Sequence, residues 1–337
     1  MKCKQELFAY HVTRYFADYL PKHRALSENT VKSYRDALIL LLRFFREQLH
    51  IPPDHIKYSD FTSDNMEAFL RWLENDRGNS VDTRNQRLAA VHSFFRYVQY
   101  KDPECFEQCS VVLSVPFKKT SPEPMNYMSL DEVKALLRKP DQSNRNGLRD
   151  MAILVTLYET AARVQELIDL KVSSIRFGNP AVVTLHGKGE KTRLVPINAE
   201  ASRILKRYIQ SWNLTSPSEY LFFNRNGKKL SRAGIQYIID KYITTVKDDH
   251  SEYFVRKISN HSFRHSKAMH LLEAGVNLIY IRDFLGHASV TTTEVYAKTN
   301  PKIKEEQLIK HSKNLEINKR YSDKQKDDLL EWLKNTL

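Results

Sequence analysis

A proline-rich segment divides this chain and sets the first limit on its fold. Pro116, Pro122 and Pro124 fall within one short stretch. Prolines at this density favour extended backbone and interrupt helices, so a continuous core across the stretch is disfavoured. At 337 residues the chain is also longer than one typical domain. We therefore predict two domains, 1–115 and 129–319, joined by a linker over 116–128.

The sequence before the linker has the periodicity of amphipathic helices. Ser27 and Thr62 can act as N-caps, because each precedes apolar residues that recur at helical spacing. The predicted apolar stripes are Val31, Tyr34, Leu38, Leu41 and Phe45 in the first helix, Met66, Phe69, Leu70 and Leu73 in the second, and Leu88, Val91, Phe95 and Val98 in a third. Arg84, Arg87 and His92 lie off the third stripe. The pattern predicts a helical N-terminal domain in which the two arginines face DNA or solvent.

After the linker the periodicity changes twice. Ser129 and Glu132 form a capping box at the start of a helix. Residues 182–185 and 193–197 then alternate as two strands around Gly187-Lys188-Gly189-Glu190-Lys191, which predicts a hairpin. Helical spacing resumes beyond it, and Leu329, Leu330 and Leu333 predict an amphipathic tail helix in 320–337. The fold class is therefore mainly α in two domains, the second with a small antiparallel sheet.

The charge balance favours a polyanionic partner. Lys and Arg total 53 against 40 Asp and Glu, for a formal net charge of +13. Lys and Arg that neutralise phosphates release condensed counterions, although charge alone is equally compatible with a basic soluble protein. No apolar run has the length of a membrane span, and the N-terminal sequence lacks the pattern of a signal peptide. Together with the odd set of three cysteines, this predicts a cytoplasmic protein without a membrane partner.

Two segments near the C-terminus and one upstream contain residues that suit phosphodiester chemistry. They are His261-Ser-Phe-Arg264-His, Leu285-Gly-His287-Ala-Ser-Val-Thr-Thr-Thr-Glu-Val-Tyr296 and Glu159-Thr-Ala-Ala-Arg163-Val-Gln-Glu166-Leu. Arginine stays protonated and donates paired hydrogen bonds to phosphate oxygens. Positions 261 and 264 are three residues apart on a predicted helix, so their side chains share one face.

Each residue has an ordinary structural interpretation when taken alone. Arg163 could pair with Glu159 or Glu166, and Tyr296 could be a core aromatic residue. His287 could cap the helix that ends at Gly286, and Lys188 could be a solvated hairpin lysine. The function therefore depends on the combination of these residues.

The order and spacing of the combination resemble the tyrosine recombinase (integrase) family. Arg163 with Glu166 resembles its first arginine motif, and the turn at Lys188 resembles the hairpin that carries its lysine. His261 through His265 resembles its second arginine box, and His287 followed by Tyr296 resembles its last histidine and nucleophile. The likeness covers the C-terminal domain. The N-terminal helices resemble the SAM-like core-binding domain of the family more loosely.

The resemblance implies a mechanism without metal or cofactor. Tyr296 attacks the scissile phosphate, forms a 3′-phosphotyrosyl link and releases a 5′-hydroxyl. Arg163 and Arg264 stabilise the developing charge, and Lys188 protonates the leaving oxygen. His261 assists proton transfer at Tyr296. His287 hydrogen-bonds the phosphate, and Glu166 orients Arg163.

Two positions depart from the family pattern. The family often has glycine where this chain has Ala161, two residues before the first arginine. If that turn requires positive φ, the alanine costs on the order of 1 kcal/mol. Lys298 stands two residues after the nucleophile, where histidine is common. Neither departure removes a residue of the proposed chemistry.

The implied partner is double-stranded DNA with inverted-repeat core sites, bound by a homotetramer or by a heterotetramer with a sister recombinase. In such a tetramer the tail helix in 320–337 either docks on a neighbouring subunit, as in relatives, or packs on its own subunit. Because the chain begins almost directly with the helical domain, we expect a simple recombinase without an arm-binding domain. We expect Arg84, Arg87 and Arg232 to contact DNA, although a solvated helix face explains Arg84 or Arg87 equally well. The alternatives are relaxation of supercoils in the manner of a type IB topoisomerase, DNA binding without cleavage, and RNA binding, which only the charge supports.

Overall fold

In the computed structural model the chain divides into two compact units, Met1–Glu123 and Pro124–Leu337. The structure describes residues 6–24, 26–120, 125–187, 191–224, 226–287 and 289–299, together with 331, 334 and 335. Lys188 and most of the predicted tail helix, including Leu329, Leu330 and Leu333, lie outside these residues. No helix in the described ranges has the length and apolar character needed to cross a bilayer.

The first unit is built from helices. They are α1 (Glu6–Arg14), which continues into a π-helical segment (Tyr15–His23), α2 (Glu28–Gln48), α3 (Ser63–Asn75), α4 (Val81–Lys101) and α5 (Phe106–Ser114), with 3-10 turns at Tyr58–Asp60 and Pro103–Cys105. Both predicted caps are present, since Ser27 accepts a hydrogen bond from the Thr30 amide and Thr62 accepts one from the Asn65 amide. Short side chains that bond the orphan amides of the first turn thus fix where these helices begin.

The core of this unit is rich in aromatic rings. Phe61 lies between Phe45 and Phe95, with ring centroids 4.8 and 4.9 Å away. The predicted stripe of α4 is buried, but the prediction that Arg84 lies on the surface is wrong, since it is only 8 % exposed. His92, also off the stripe, is 3 % exposed. The physical reason is that α2, α3 and α5 all pack against α4, so more than one face of this helix is covered.

The second unit is mostly helical and contains one small sheet. Its helices are α6 (Leu130–Arg138), α7 (Arg145–Thr160), α8 (Val164–Ile168), α9 (Ala199–Ser211), α10 (Arg232–Asp249), α11 (Asn260–Glu273), α12 (Leu278–Leu285) and α13 (Thr291–Thr299), with a 3-10 turn at Val172–Ser174. The capping box at the start of α6 is confirmed, because Ser129 and Glu132 bond each other's backbone amides. Helix α7 crosses the core, where Ile153, Leu154 and Leu157 are fully buried.

The sheet has three antiparallel strands, β1 (Ile175–Arg176), β2 (Ala181–His186) and β3 (Thr192–Ile197), in the order β1-β2-β3. The hairpin β2–β3 agrees with the sequence-based prediction, whereas the two-residue strand β1 was not predicted. Arg193 pairs with Leu185 across the hairpin, and the Gly187 amide donates to the Lys191 carbonyl at 2.8 Å. The mainly α fold with a small antiparallel sheet is thus confirmed. The exact boundaries proposed for the domains and linker remain predictions.

Candidate functional site

The site begins at a sharp turn between α7 and α8. Ala161 ends α7 in the left-handed conformation, with φ 46° and ψ 34°. The positive φ that would favour glycine at this position is therefore present in the chain. Arg163 follows as the N-cap of α8, with 39 % of its side chain exposed, so its guanidinium is available at the surface of the unit.

Glu166 is the buried carboxylate that holds this arginine. It accepts hydrogen bonds from the Arg163 amide at 2.8 Å and from Arg163 Nη1 at 2.9 Å. It also accepts two bonds from Arg193, Nη1 at 2.8 Å and Nη2 at 2.7 Å, in the paired geometry that suits a guanidinium and a carboxylate. Burial raises the pKa of Glu166, but Arg193 and then Arg163 outweigh it and lower the pKa below its usual range.

Arg193 is a residue that the sequence analysis missed. It stands on β3, and its side chain is 11 % exposed. The side chain also lies against Gly286, where an added Cβ would meet Arg193 Cδ at 3.2 Å. Arg193 thus ties the hairpin both to the carboxylate of α8 and to the turn after α12. The periodicity of a strand contains no signal for such a partner, because the acceptor lies on another element.

Arg264 brings a second guanidinium into the same region from α11. It is 4 % exposed and donates to two backbone carbonyls, Ala161 at 2.8 Å and Leu285 at 2.6 Å. These bonds join the ends of α7 and α12 to α11, and each terminal nitrogen retains a second N–H for another acceptor. Burial lowers the pKa of Arg264 to about 10, with smaller contributions from Arg163 and Arg193, so the group stays charged at neutral pH.

Tyr296 on α13 is buried, with 2 % of its surface exposed. Its hydroxyl lies 3.1 Å from His265 Nδ1, a histidine to which the sequence analysis assigned no role. Burial raises the pKa of Tyr296, while Arg264 and Arg163 act in the opposite direction. The expected neighbour, His261, lies on an exposed part of the first turn of α11, with its ring centroid 6.4 Å from that of His265.

His287 follows Gly286, which ends α12 in the left-handed conformation at φ 64°. Its Nδ1 lies 2.9 Å from the Thr293 hydroxyl on α13. Burial lowers the pKa of His287 to about 4, and Arg264 and Arg163 add to the effect, so the imidazole is neutral at physiological pH. A neutral imidazole can donate one hydrogen bond to a phosphate while it accepts another.

Three of these residues, Arg163, Arg193 and His287, line an open cleft of about 690 Å³. Its lining residues are Arg163, Gly187, Lys191, Thr192, Arg193, Asp283, Gly286 and His287. The hairpin that carries Lys188 therefore borders the cleft through the described residues on either side of the turn. Its charged lining residues are Arg163, Lys191 and Arg193 against Asp283, so the lining has a net positive charge, which suits a phosphate group.

The three predicted DNA contacts differ in their surroundings. Arg232 is the first residue of α10, is exposed, and donates to Gln165 on α8. Burial is the main cause of the lowered pKa of His261, and the charge of Arg232 contributes to it. Arg87 is partly exposed on α4 and remains a candidate. Arg84 has a buried side chain that donates to Asn85 at 2.7 Å and lies 3.5 Å from Glu74, so a structural role within α3 and α4 replaces the predicted exposed position.

Comparisons with known proteins agree on both parts of the chain. Residues 126–302 match the phage integrase family, and residues 13–101 match the phage integrase N-terminal SAM-like domain. A putative integrase/recombinase, y4rC of Sinorhizobium fredii (strain NBRC 101917 / NGR234), is 35 % identical over 298 residues, covering 88 % of this chain and 90 % of its own. Tyrosine recombinase XerD of Listeria monocytogenes serotype 4b (strain F2365) is 32 % identical over 293 residues, covering 83 % and 91 %.

Solved structures show the same fold at lower identity. The Tn1549 transposon integrase in complex with transposon right end DNA aligns over 91 % of this chain and 99 % of its own, with TM-score 0.68 and 17 % identity. The XerH site-specific recombinase bound to its difH substrate aligns over 90 % and 84 %, with TM-score 0.65 and 20 % identity. Both neighbours are DNA-bound, and at this identity the likeness bears on the fold.

Proposed function

Because this chain belongs to the phage integrase family of tyrosine recombinases, we propose that it cuts and rejoins DNA at specific sites through a covalent link to Tyr296. The observation that carries the proposal is the convergence of two arginines on one tyrosine. Tyr296 packs in one buried cluster with Ala161 and Leu285. Arg264 donates to the carbonyls of these same two residues, and Arg163 Nη2 lies 3.5 Å from the carbonyl of the next residue, Gly286. A phenol beside two guanidinium groups is the arrangement that phosphodiester attack requires.

The first chemical step forms one P–O bond and breaks another. The Tyr296 hydroxyl gives its proton to a histidine of α11, and its oxygen bonds to phosphorus as the bond from phosphorus to the 5′-oxygen breaks. This leaves a 3′-phosphotyrosyl link and a free 5′-hydroxyl. Arg163 and Arg264 stabilise the additional negative charge on the non-bridging oxygens. Glu166 keeps Arg163 in place, while the neutral His287 donates a hydrogen bond to the phosphate. Lys188 on the hairpin supplies the proton that the leaving 5′-oxygen takes up.

The second step reverses the first with a different strand. A 5′-hydroxyl from a partner duplex attacks the phosphotyrosyl phosphorus, and Tyr296 leaves. The covalent link conserves the phosphodiester bond energy, so the exchange requires no nucleotide cofactor. The proposed substrate is duplex DNA with inverted-repeat core sites, exchanged within a homotetramer or a heterotetramer with a sister recombinase. Its setting is cytoplasmic, on the nucleoid, in integration and excision, resolution or transposition.

A nicked suicide duplex tests the proposal, because loss of the short fragment beside the nick prevents religation and traps the adduct. Fragments from the flanks of the gene supply the candidate sites. We expect the wild type to form a covalent protein–DNA adduct on denaturing gels and Tyr296→Phe to form none while it retains DNA binding. Tyr158→Phe is the matched control, because the Tyr158 hydroxyl also pairs with a histidine of α11, His270 Nδ1 at 2.9 Å.

The outcomes separate the competing functions. Tight DNA binding by the wild type without an adduct on any flank fragment would contradict cleavage and favour a DNA-binding relative. Relaxation of supercoiled plasmids without strand exchange between two sites would favour topoisomerase activity. An adduct that Tyr296→Phe retains would rule out this tyrosine as the nucleophile.

A further inference from the structure

The Tyr296 hydroxyl has a specific partner on the neighbouring helix. His265 Nδ1 lies 3.1 Å from the tyrosine oxygen, within hydrogen-bond distance for these two atoms. Among the described residues, this is the one hydrogen bond that the Tyr296 side chain makes. His265 directly follows Arg264, so one segment of α11 presents both a phosphate ligand and a contact to the nucleophile.

The environment of this pair suits proton transfer. Tyr296 packs among Ala161, Ala268, Met269, Ile281 and Leu285, which exclude water from the ring. A phenol in such a place needs a built-in acceptor for its proton, because bulk water is not available to take it. His265 is partly buried, and burial lowers its pKa to about 4, with His261 and Arg264 contributing, so its ring is neutral before the reaction.

His261 is in a different position. It lies one helical turn before His265 on the exposed start of α11, and its ring approaches the ring of His265 with centroids 6.4 Å apart. The charges of Arg264, Arg163 and Arg232 also lower the pKa of His261, after the larger effect of burial. His261 is thus the more exposed of the two histidines, and the contact to the Tyr296 hydroxyl is made by His265.

We propose that His265 is a further catalytic residue of this chain and accepts the proton of Tyr296 during attack on the phosphate. The inference rests on the proposed function. The O–H bond of Tyr296 breaks, its proton moves to Nδ1 of His265, and its oxygen bonds to phosphorus. In the rejoining step the same imidazolium returns the proton to the departing tyrosine. The negative charge of the bound phosphodiester favours the protonated imidazole at this stage.

Three asparagine variants test this assignment, since an asparagine amide can occupy the position of Nδ1 and keep a hydrogen bond without accepting a proton. We expect His265→Asn to slow adduct formation on the nicked duplex by about 100- to 10,000-fold, the usual contribution of a general base. His270→Asn is the matched control, because it makes the same replacement in the other tyrosine–histidine pair of α11, Tyr158 with His270. This variant should leave the rate within about threefold of wild type. His261→Asn should slow the reaction less than His265→Asn.

A second substrate identifies the side of the phosphate on which His265 acts. Replacing the bridging 5′-oxygen with sulfur provides a leaving group that departs without a proton. This substrate should restore cleavage to Lys188→Ala, which lacks the proposed proton donor, but not to His265→Asn. Rescue of His265→Asn by the sulfur substrate would overturn the proposal, because it would place His265 on the leaving-group side.

The remaining outcomes are equally decisive. A rate for His265→Asn within about threefold of wild type would overturn the proposal by showing that a hydrogen bond suffices. If both His265→Asn and His265→Gln failed to fold while His270→Asn folded, His265 would be structural and the proposal would also fail. Failure of the proposed function is distinguishable, because then the wild type forms no adduct or Tyr296→Phe still forms one.

Discussion

The two arginines on Glu166 should differ sharply in what they contribute to stability. Replacing Arg193 with methionine removes the paired bonds at 2.8 and 2.7 Å from a carboxylate that is 5 % exposed. Removing one partner of a buried ion pair costs about 3–5 kcal/mol, since the other charge stays buried. The Arg193 Nε is buried with no partner among the described residues, which lowers the cost. We therefore expect Arg193→Met to destabilise the protein by about 3 kcal/mol.

Arg163→Met provides the comparison within the same site. Its side chain is 39 % exposed and makes one bond to Glu166, which keeps both bonds from Arg193 and the bond from the Arg163 amide. The expected loss is about 1 kcal/mol, the typical value of one partly exposed charged hydrogen bond. Catalysis should respond differently, because Arg163→Met removes a proposed phosphate ligand and should abolish adduct formation.

Urea unfolding of the full chain, followed by fluorescence and circular dichroism, measures both losses. A double variant, Arg193→Met with Glu166→Gln, is the critical addition. It removes the buried charge together with its partner, so it should recover part of the stability that Arg193→Met loses. If Arg163→Met cost as much as Arg193→Met, or if the double variant recovered nothing, the assignment of Arg193 as the main partner of Glu166 would be refuted.

Two further predictions concern the backbone and the charge beneath the site. Ala161→Gly should change the free energy of unfolding by less than about 1 kcal/mol. Glycine relieves the left-handed strain, and this gain offsets the loss of a buried methyl group and the greater freedom of glycine in the unfolded chain. A change above about 2 kcal/mol in urea unfolding would contradict this balance. The folded-state pKa of Glu166 lies below 4.5, so its stabilising effect is present above pH 4.5 and is lost as the pH falls through the folded-state value. In wild type the urea midpoint should fall as the pH is lowered below 4.5, and in Glu166→Gln this fall should be smaller. An equal pH dependence in the two proteins would contradict a lowered pKa of Glu166.

Local chemistry made much of the fold predictable. The caps at Ser27 and Thr62, the capping box at Ser129 and the hairpin around Gly187 depend on residues only a few positions apart, so the sequence contains the whole signal. The positive φ at Ala161 was anticipated conditionally, from the glycine that related sequences often have there. These features were accessible because short-range backbone geometry determines them.

The misses share a physical cause in packing between distant segments. Arg84 was placed on a surface because one apolar stripe of α4 was recognised, whereas three helices pack against this element. Arg193 on β3 bonds the carboxylate of Glu166 on α8, and the periodicity of a strand does not predict a contact with another element. His265 was overlooked because the spacing argument joined His261 to Arg264, although His265 also lies one turn after His261. Which turn of α11 meets Tyr296 depends on where α13 packs.

The sharing of one carboxylate by several cations has a consequence for the protein without DNA. Arg163 and Arg193 both bond Glu166, and both also disfavour the charged form of Arg264, after the larger effect of burial. Three guanidinium groups thus share one buried carboxylate, and the negative charge of a bound phosphodiester would offset their excess positive charge. By thermodynamic linkage, the free energy gained on binding is added to the folding free energy of the domain. We therefore expect the free energy of unfolding of this unit to be larger when the proposed DNA substrate is bound.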